Sequence, residues 1–478
     1  MTMKKDRLVT SNNGINYIYS DFLKMFSFAP ISQQFETRDI RLNHNHSKKV
    51  FFNDHNFFRS DQINFVSEYS VDNIKSNLAN MRQLLIEVTD ACNLKCKYCS
   101  YGDLYTNFDN RECKQQTFSN VKILVDHLVD LWNSSYNISH DKNIHIGFYG
   151  GEPLLNMGLI VETIEYLESI QGDNFHFNYN MTTNGVLLNK HLNFIVQHQF
   201  SLLISLDGNE FNSSYRLDKR GNASFSRVIN NIRLIQSKYP NYFKNKVNFN
   251  AVLHNRNSVE DVFSYIKHEF DKVPRIAELK VNGLSDKGKD KLNQMYNSKF
   301  DSFNVASHEI KTQIEFQFED SASIFFHTFI RNFCGNAIDS YVNLFDVEEN
   351  TPYIPTGTCR PFERKLFLTV NGKILPCEKV GQNHVMATLN DGILDIDYER
   401  IIAYYHSLYK KVINKCKSCF MKKTCGQCIF LIEDQNKKFI CPGYMQKNKC
   451  TEYFANYLFY AESHPYIYES LMNNVVID

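Results

Sequence analysis

Several features that would assign a 478-residue chain to a class are absent from this one. No run of about 18 uncharged apolar residues occurs, so we expect no transmembrane helix. Residues 1–14 contain no apolar core of a signal peptide, which predicts a cytoplasmic protein. The 53 basic and 52 acidic residues nearly cancel, so the net charge of +1 calls for no nucleic-acid or membrane partner.

The length predicts more than one domain, and a hydrophobic fraction of 43% is typical of a globular protein. Changes in composition and in hydrophobic pattern along the chain predict four regions. They are a small N-terminal module at 1–80, a barrel-like domain at 81–290, a helical bridge at 291–354 and a cysteine-rich domain at 355–478.

Thirteen cysteines are present, and their placement is uneven. Three lie at 92–99 and eight lie between 359 and 450, whereas Cys113 and Cys334 stand apart. Disulfides are rare in the cytoplasm, and cysteines scattered through a core would not cluster in this way. The spacing therefore favours metal ligation over buried free thiols.

Six short apolar segments alternate with helical patterns, which predicts a parallel sheet with helical crossovers. Six such repeats predict a partial (β/α)6 barrel of the TIM type. The segments are 84–90, 145–150, 175–184, 202–208, 247–254 and 277–283, and the clearest helical pattern is 119–132. Polar motifs follow the first four strands, at the ends where barrel enzymes place their chemistry. They are a cysteine loop, "GGEP", "TTNG" and "SLDG".

The first cysteine cluster has the pattern C-x3-C-x2-C, formed by Cys92, Cys96 and Cys99. Thiolates suit zinc or iron–sulfur clusters. A structural zinc site needs a fourth ligand, and neither His nor Cys supplies one nearby. Three thiolates on a four-iron cluster would instead leave one iron open to a substrate.

With "CNLKCKYC" after the first strand and "GGEP" after the second, the chain resembles the radical S-adenosylmethionine (SAM) enzymes over roughly residues 82–290. The resemblance implies a [4Fe–4S] cluster whose open iron binds SAM. One electron would cleave SAM to methionine and a 5′-deoxyadenosyl radical, which abstracts a hydrogen atom. The methionine amino group would be held by Gly150, Gly151, Glu152 and Pro153. Further SAM contacts are implied at Thr183, Asn184, Ser205 and Asp207, with Arg216 as a candidate for the SAM carboxylate.

The second cysteine group, read alone, would suggest a zinc knuckle. Beside the first motif it resembles the SPASM domain, which carries two auxiliary [4Fe–4S] clusters and would bring the total to three. Its C-x2-C-x5-C-x2-C run is one residue shorter in the last gap than the family pattern. By position, the first auxiliary cluster would take Cys359, Cys377 and Cys428, and the second Cys416, Cys419, Cys425 and Cys441. Cys450 could complete the first auxiliary cluster, and the choice between Cys441 and Cys450 is open. Cys334 is a further candidate ligand, whereas Cys113 is expected not to be a ligand.

The longer motifs resemble SPASM peptide maturases of the Bacteroidetes type, which act on ribosomally made precursor peptides. The resemblance implies a precursor peptide with a leader as substrate, and a flavodoxin or ferredoxin-type electron donor as partner. Residues 1–80 could recognise the leader through an exposed strand edge. A simple N-terminal cap on the barrel is the equal alternative.

Two other functions remain open. The sulfatase-maturating branch, which oxidises Cys or Ser to formylglycine, has an acidic residue after the second SPASM cysteine. Glu378 follows Cys377 here and could act as a general base. It could equally be a solvated carboxylate or a neighbour of the metal site. The alternative of another class is a zinc-stabilised, non-catalytic scaffold that binds a peptide.

Overall fold

The computed structural model describes residues 7–20, 25–28, 69–139, 142–171, 175–307, 309–310, 326, 329–330, 360–425, 427–435, 438–441, 443–446 and 449–465. Two of the candidate ligands, Cys334 and Cys359, lie outside these residues. The chain divides into two compact units. The barrel unit is Glu68–Ile310 with Cys359–Ser407, and the terminal unit is Met1–Ser67, Lys311–Thr358 and Leu408–Asp478. The four regions predicted from the sequence stay a prediction.

The described elements are numbered in chain order. The strands are β1 (Arg7–Thr10), β2 (Asn16–Ser20), β3 (Met25–Phe28), β4 (Gln83–Thr89), β5 (Lys142–Gly150), β6 (Phe175–Thr183), β7 (Ser201–Ser205), β8 (Val247–Val252), β9 (Arg275–Ala277), β10 (Lys365–Leu368), β11 (Lys373–Leu375), β12 (Ala387–Asn390), β13 (Ile393–Asp395), β14 (Glu433–Gln435) and β15 (Lys438–Ile440). The helices are α1 (Val71–Ala79), α2 (Phe118–Trp132), α3 (Met157–Ile170), α4 (Leu188–Gln197), α5 (Phe225–Lys238), α6 (Pro240–Lys246), α7 (Val259–Phe270), α8 (Asp286–Met295), α9 (Lys299–Asn304), α10 (Tyr398–Ser418) and α11 (Cys450–Ser463).

The barrel unit is built on six parallel strands in the order β4-β5-β6-β7-β8-β9. At least one helix lies between each consecutive pair of these strands in the chain, which confirms the predicted partial barrel. α2 corresponds to the helical pattern predicted at 119–132. Its apolar residues at three- and four-residue spacing are buried, as this pattern requires: Val121, Leu124, Val125, Leu128 and Trp132.

The sixth strand differs from its predicted position. The sequence pattern placed it at 277–283, whereas β9 spans Arg275–Ala277. The residues after it form a loop in which Leu279 is buried with Tyr98, Tyr215 and Leu292. Its apolar character therefore comes from packing beside the cysteine loop and not from strand pairing.

The sheet continues beyond the barrel on the other side of β4. β10 pairs with β4 in parallel, and β11, β12 and β13 follow in an antiparallel arrangement. Glu87 of β4 supports this junction, because its Oε2 accepts a 3.1 Å hydrogen bond from the backbone N–H of Val370. The segment predicted as a cysteine-rich domain thus contributes four strands to the same sheet.

The terminal unit contains a three-stranded antiparallel sheet in the order β1-β2-β3. One face buries Val9, Tyr17 and Tyr19 against Phe454 and Leu458 of α11. α11 is the C-terminal helix of the described residues. Among the helices that the structure describes, none is long and apolar enough to cross a membrane.

Candidate active site

The cysteine loop follows β4, where the parallel strands end. Its backbone is tied to a second loop, since the N–H of Lys95 bonds to the carbonyl of Leu217 at 2.7 Å and that of Lys97 to Tyr215 at 3.1 Å. All three cysteines are half-buried. Burial raises the pKa of Cys92 to about 11, and Glu152 and Cys99 add to the increase. Burial also raises the pKa of Cys96 to about 12.

The donor set fits an iron–sulfur cluster. Two N–H groups point at the sulfur of Cys92, from the Leu94 backbone at 3.4 Å and from Asn184 Nδ2 at 3.8 Å. Such donors stabilise a metal-bound thiolate. Thiols with raised pKa values stay protonated at neutral pH unless a metal centre replaces the proton.

A single-ion site has a different geometry. All ligands of one zinc ion lie about 2.3 Å from the same point. Across the described parts of the chain, no three His, Cys, Asp or Glu side chains are placed to hold one ion. Thiolates of a four-iron cluster bind different irons and can therefore be further apart.

The "GGEP" turn packs directly on the cysteine loop. The N–H groups of Gly151 and Glu152 bond to the carbonyls of Thr89 and Ala91, each at 2.9 Å. A Cβ atom at Gly150, which has φ +146°, would lie 2.1 Å from the Thr89 carbonyl oxygen. One at Gly151 would lie 2.1 Å from that of Ala91. Two glycines are thus required for this contact.

Glu152 connects the ends of β5 and β6. Its side chain is 1% exposed and accepts hydrogen bonds from Thr183 Oγ1 at 2.6 Å, the Asn184 N–H at 2.7 Å and the Leu154 N–H at 3.3 Å. Burial raises the pKa of this carboxyl to about 7, even though the three donors favour its ionised form. Pro153 begins the short 3-10 turn that follows.

Asn184 links the third motif to the cysteine loop. Its Nδ2 donates to Asn93 Oδ1 at 2.7 Å, beside the sulfur of Cys92. Ser205, at the end of β7, is half-buried and lies in register with Asn250 of β8. The structure therefore places the four predicted motifs at one edge of the sheet. The SAM contacts assigned to their side chains stay predictions.

A buried charged network lies beside this edge. Asp207 is fully buried, and Arg216 donates to it through Nε at 2.9 Å and Nη2 at 3.1 Å. The Tyr98 hydroxyl and the Val252 N–H also donate to Asp207, the latter at 3.0 Å. Burial alone would raise the pKa of Asp207, but Arg216, the nearby His254 and the Tyr98 hydroxyl lower it to about 2. Asp207 and Arg216, which the sequence analysis predicted as SAM contacts, thus form an ion pair with each other.

The sequence interpretation missed His254 in this network. The side chain is fully buried, Nδ1 accepts from the Arg256 N–H at 3.1 Å, and Nε2 lies 3.8 Å from Asp207 Oδ2. Nε2 has no hydrogen-bond partner within normal distance in the described residues. The position of His254 in the sequence could have indicated it, because "LHN" directly follows β8, just as the other polar motifs follow their strands.

A second missed pair is Glu87 and Arg111. Glu87 is 1% exposed on β4, and Arg111 Nη2 lies 3.2 Å from its Oε1. Arg111 Nε also donates to the Asp90 carbonyl at 2.8 Å, and its guanidinium carbon lies 4.3 Å from the centre of the Tyr101 ring. This pair anchors the segment after the cysteine loop to the first barrel strand.

Of the auxiliary-cluster candidates, Cys377 is described in the barrel unit. The Lys379 N–H points at its sulfur at 3.4 Å, which again suits a metal-bound thiolate. Glu378 is held by Lys365 Nζ at 3.0 and 3.1 Å from its two oxygens, and the Cys377 thiol donates to it at 3.1 Å. Burial would raise the pKa of Glu378, but Lys365 and these hydrogen bonds lower it.

The remaining described candidates lie in the terminal unit. Burial raises the pKa of Cys416 to about 12, with further increases from Cys425, Cys441 and Cys419, so these four thiols share one neighbourhood. The Met445 N–H points at the sulfur of Cys419 at 3.5 Å.

Three other cysteines have different surroundings. Cys428 precedes a short 3-10 turn, and Cys450 is buried at the start of α11, where it accepts a hydrogen bond from Arg7 Nη1 at 2.8 Å. Cys113 is exposed. The division of the ligands between the two auxiliary clusters stays a prediction.

Comparisons with known proteins agree with this arrangement. Residues 86–267 match the Radical SAM superfamily. A cysteine-type anaerobic sulfatase-maturating enzyme of Clostridium novyi is 26% identical over 197 residues, which are 40% of this chain and 49% of that protein. The radical SAM cyclopropyl synthase TigE of Paramaledivibacter caminithermalis is 23% identical over 193 residues, which are 40% of this chain and 38% of that protein. The chain thus spans about half the length, or less, of the curated relatives it matches.

The fold extends further than the sequence similarity. The solved structure of native anSMEcpe with bound AdoMet superposes with a TM-score of 0.54 at 18% identity. The match covers 82% of this chain and 100% of that one. On the site geometry and the superfamily match together, the chain contains a radical SAM domain.

Proposed function

We propose that this protein is a radical SAM enzyme that reductively cleaves SAM and modifies a ribosomally synthesised precursor peptide. The observation that carries the proposal is the contact between the three-cysteine loop and the "GGEP" turn, at the edge where "TTNG" and "SLDG" also lie. A [4Fe–4S] cluster bound there would supply one electron to cleave SAM and generate the 5′-deoxyadenosyl radical.

The chain's own residues would bind and orient SAM beside the cysteine loop. The residues predicted to hold the amino group are those of the "GGEP" turn, whose backbone packs on the cysteine loop. The buried Asp207 and Arg216 pair fixes the segment of residues 215–217, and that segment holds the cysteine loop through its backbone. Tyr98, buried over this pair, keeps water away from one side of the loop.

A protein or peptide substrate is supported by the relative that matures sulfatases. The cyclopropyl synthase supports the radical SAM chemistry. The proposal includes two auxiliary clusters on the cysteine-rich segment, a flavodoxin or ferredoxin-type electron donor and a cytoplasmic location. The N–H groups directed at Cys377 and Cys419 support the auxiliary clusters. The bond formed on the peptide would be a cross-link or a related C–H functionalisation.

Formylglycine formation is the second candidate, and the carboxylate of Glu378 next to Cys377 favours it. Its ion pair with Lys365 weighs against it, because a general base works best with a pKa near the operating pH. A peptide carrying a sulfatase-type Cys or Ser separates the two functions. Conversion to formylglycine would favour this candidate over the precursor-peptide reading.

The test begins with protein purified and reconstituted without oxygen. Three clusters predict about twelve irons per chain, and dithionite should drive formation of 5′-deoxyadenosine from SAM. Replacing Cys92, Cys96 and Cys99 by alanine should remove about four irons and abolish SAM cleavage, because these thiols would hold the SAM-binding cluster. The matched control is Cys113→Ala, which should keep both iron and activity. Cleavage that survives the triple replacement would contradict the site, and colourless protein holding zinc alone would contradict the function.

Modification of a precursor peptide is tested separately from SAM cleavage. The protein should be co-expressed with a short peptide encoded beside it, and the peptide analysed by mass spectrometry. A mass change that disappears in the Cys92→Ala variant is expected. An unchanged peptide, alongside active SAM cleavage, would leave the radical chemistry standing and overturn the peptide assignment.

A further inference from the structure

We propose that a basic surface on the outer side of the cysteine loop docks an acidic electron-donor protein of the flavodoxin class. We call this surface the basic lip and define it as Lys95, Lys97, Lys219 and Arg220. The inference rests on the proposed function, since an electron is required where SAM is cleaved. It goes further by assigning the place where the electron enters.

The lip is formed by two loops that run side by side. The cysteine loop pairs antiparallel with the segment after β7, with Leu94 opposite Asp218 and the Lys95 N–H bonded to the Leu217 carbonyl at 2.7 Å. Beyond Asp218 the chain makes a tight turn, closed by the Asp218 N–H on the Asn222 carbonyl at 2.8 Å. The tip of that turn therefore lies next to the cysteine loop.

All four side chains of the lip are exposed. Lys95 and Lys97 flank Cys96, whose own side chain is half-buried. Lys97 is held in place by the ring of Tyr215, with Nζ 5.4 Å from the ring centre. Lys219 and Arg220 occupy the tip of the turn. Four positive charges thus lie on two adjoining loops, one of which carries a predicted cluster ligand.

The acidic residues close to the lip cancel only part of this charge. Asp103 lies 3.7 Å from Lys95, but both side chains are largely exposed, at 86% and 75%, so their attraction is weak. Asp218 is occupied by the turn itself, accepting from the Arg220 and Asn222 N–H groups at 2.9 Å each, and it pairs with Arg227 at 3.2 Å. The chain as a whole has a net charge of only +1, so the positive surface is local.

An electron donor is the partner that this position favours. The donor must bring its redox centre close to the cluster, and two residues of the lip, Lys95 and Lys97, directly adjoin Cys96 in the chain. A positive surface around that point attracts an acidic protein and steers it towards the cluster over a Debye length of about 8–10 Å. In the transfer, the reduced donor loses one electron and the cluster gains it, so no further co-reactant is needed.

The experiment uses the cluster-loaded enzyme, a bacterial flavodoxin and the double variant Lys219→Glu/Arg220→Glu. These two residues lie outside the cysteine loop, so the cluster should form normally, and iron content checks this. Binding of oxidised flavodoxin is measured by titration calorimetry at low and high salt. SAM cleavage is then measured twice, once with reduced flavodoxin and once with dithionite, which is too small to need a docking surface.

We expect the double variant to bind flavodoxin on the order of ten-fold more weakly at low salt, since reversing two charges turns two attractions into repulsions. Flavodoxin-driven cleavage should fall in parallel, and dithionite-driven cleavage should be unchanged. The matched control, Lys190→Glu/Lys238→Glu, reverses two exposed charges on α4 and at the far end of α5. It should behave like the parent protein.

The outcomes separate this inference from the proposed function. Equal flavodoxin affinity and equal flavodoxin-driven cleavage in parent and lip variant would overturn the docking surface, while the enzyme assignment stands. Failure of the parent protein to cleave SAM with dithionite would overturn the function, and the docking surface with it. Weaker binding of the peptide substrate, with unchanged flavodoxin binding, would show that the lip serves the substrate and would also overturn the inference.

Discussion

Replacing Arg216 by leucine would leave the carboxylate of Asp207 in the protein interior without its cation. Asp207 has no exposed surface, and Arg216 supplies two of its hydrogen bonds. Breaking a buried pair from one side costs about 3–5 kcal/mol, because the remaining charge is uncompensated. The Tyr98 hydroxyl and the Val252 N–H would still donate, so we expect the lower half of that range.

The pKa of Asp207 gives a second measure of the same interaction. Arg216 and the other donors lower this pKa from 3.8 to about 2 against the effect of burial, a difference equivalent to about 2 kcal/mol. Because the folded-state pKa is the lower one, ionised Asp207 stabilises the fold above about pH 4. That stabilisation is lost as the pH falls towards 2. The network should therefore be intact at neutral pH, where the variant is to be measured.

The assay is urea denaturation at pH 7 of the iron-loaded parent and variant. A matched control is available eleven residues further along the chain, in the more exposed pair of Arg227 and Asp218. Its two members are nine residues apart, as are Arg216 and Asp207. Arg227→Leu should cost about 0–1 kcal/mol, as is usual for exposed pairs. If Arg216→Leu costs no more than Arg227→Leu, the account of the buried pair is wrong.

Three further predictions concern the site. Gly151→Ala should abolish SAM cleavage and lower the melting temperature, because the added Cβ would lie 2.1 Å from a backbone oxygen of the cysteine loop. The control is Gly158→Ala on α3, which has open space around it and should leave the stability unchanged or slightly raised. Glu152→Gln should weaken SAM binding at least ten-fold by calorimetry, because an amide would face N–H donors with one acceptor fewer; unchanged affinity would refute that role. Glu378→Gln should leave dithionite-driven SAM cleavage intact, and loss of peptide modification in the same sample would identify this residue as catalytic. Unchanged modification would instead assign Glu378 to its ion pair with Lys365.

Much of the barrel could be predicted because its signals are local. Strands β4 to β8 each form a short apolar segment, and α2 has a helical pattern that the sequence shows without ambiguity. The site followed from one rule, that parallel strands present their carboxyl ends at one edge. Cysteine spacing then supplied the chemistry, so these inferences needed no information from distant parts of the chain.

Other features depend on partners far away in the sequence. β10 has four residues and pairs with β4, which lies about 280 positions earlier, so its own sequence carries little strand signal. The assignment of Arg216 to the SAM carboxylate stays a prediction, whereas its ion pair with Asp207 was not predicted, because that contact needs the folded loop after β7. His254 ended the segment predicted as a strand at 247–254, and its enclosure by Tyr98, Tyr215 and Asp207 is a feature of the folded chain. Side-chain partners of this kind are set by packing, which a single sequence does not display.

The pairing of β10 with β4 also has a consequence for aggregation. In a six-stranded open barrel β4 would be an edge strand, and its residues Leu84, Leu85, Ile86 and Val88 are strongly apolar. β10 occupies the hydrogen-bonding groups that such an edge would offer to other chains, and the short β11, β12 and β13 move the free edge outwards. A protein truncated after residue 310 should therefore be prone to self-association through β4. The cysteine-rich segment serves the barrel as edge protection, whatever clusters it carries.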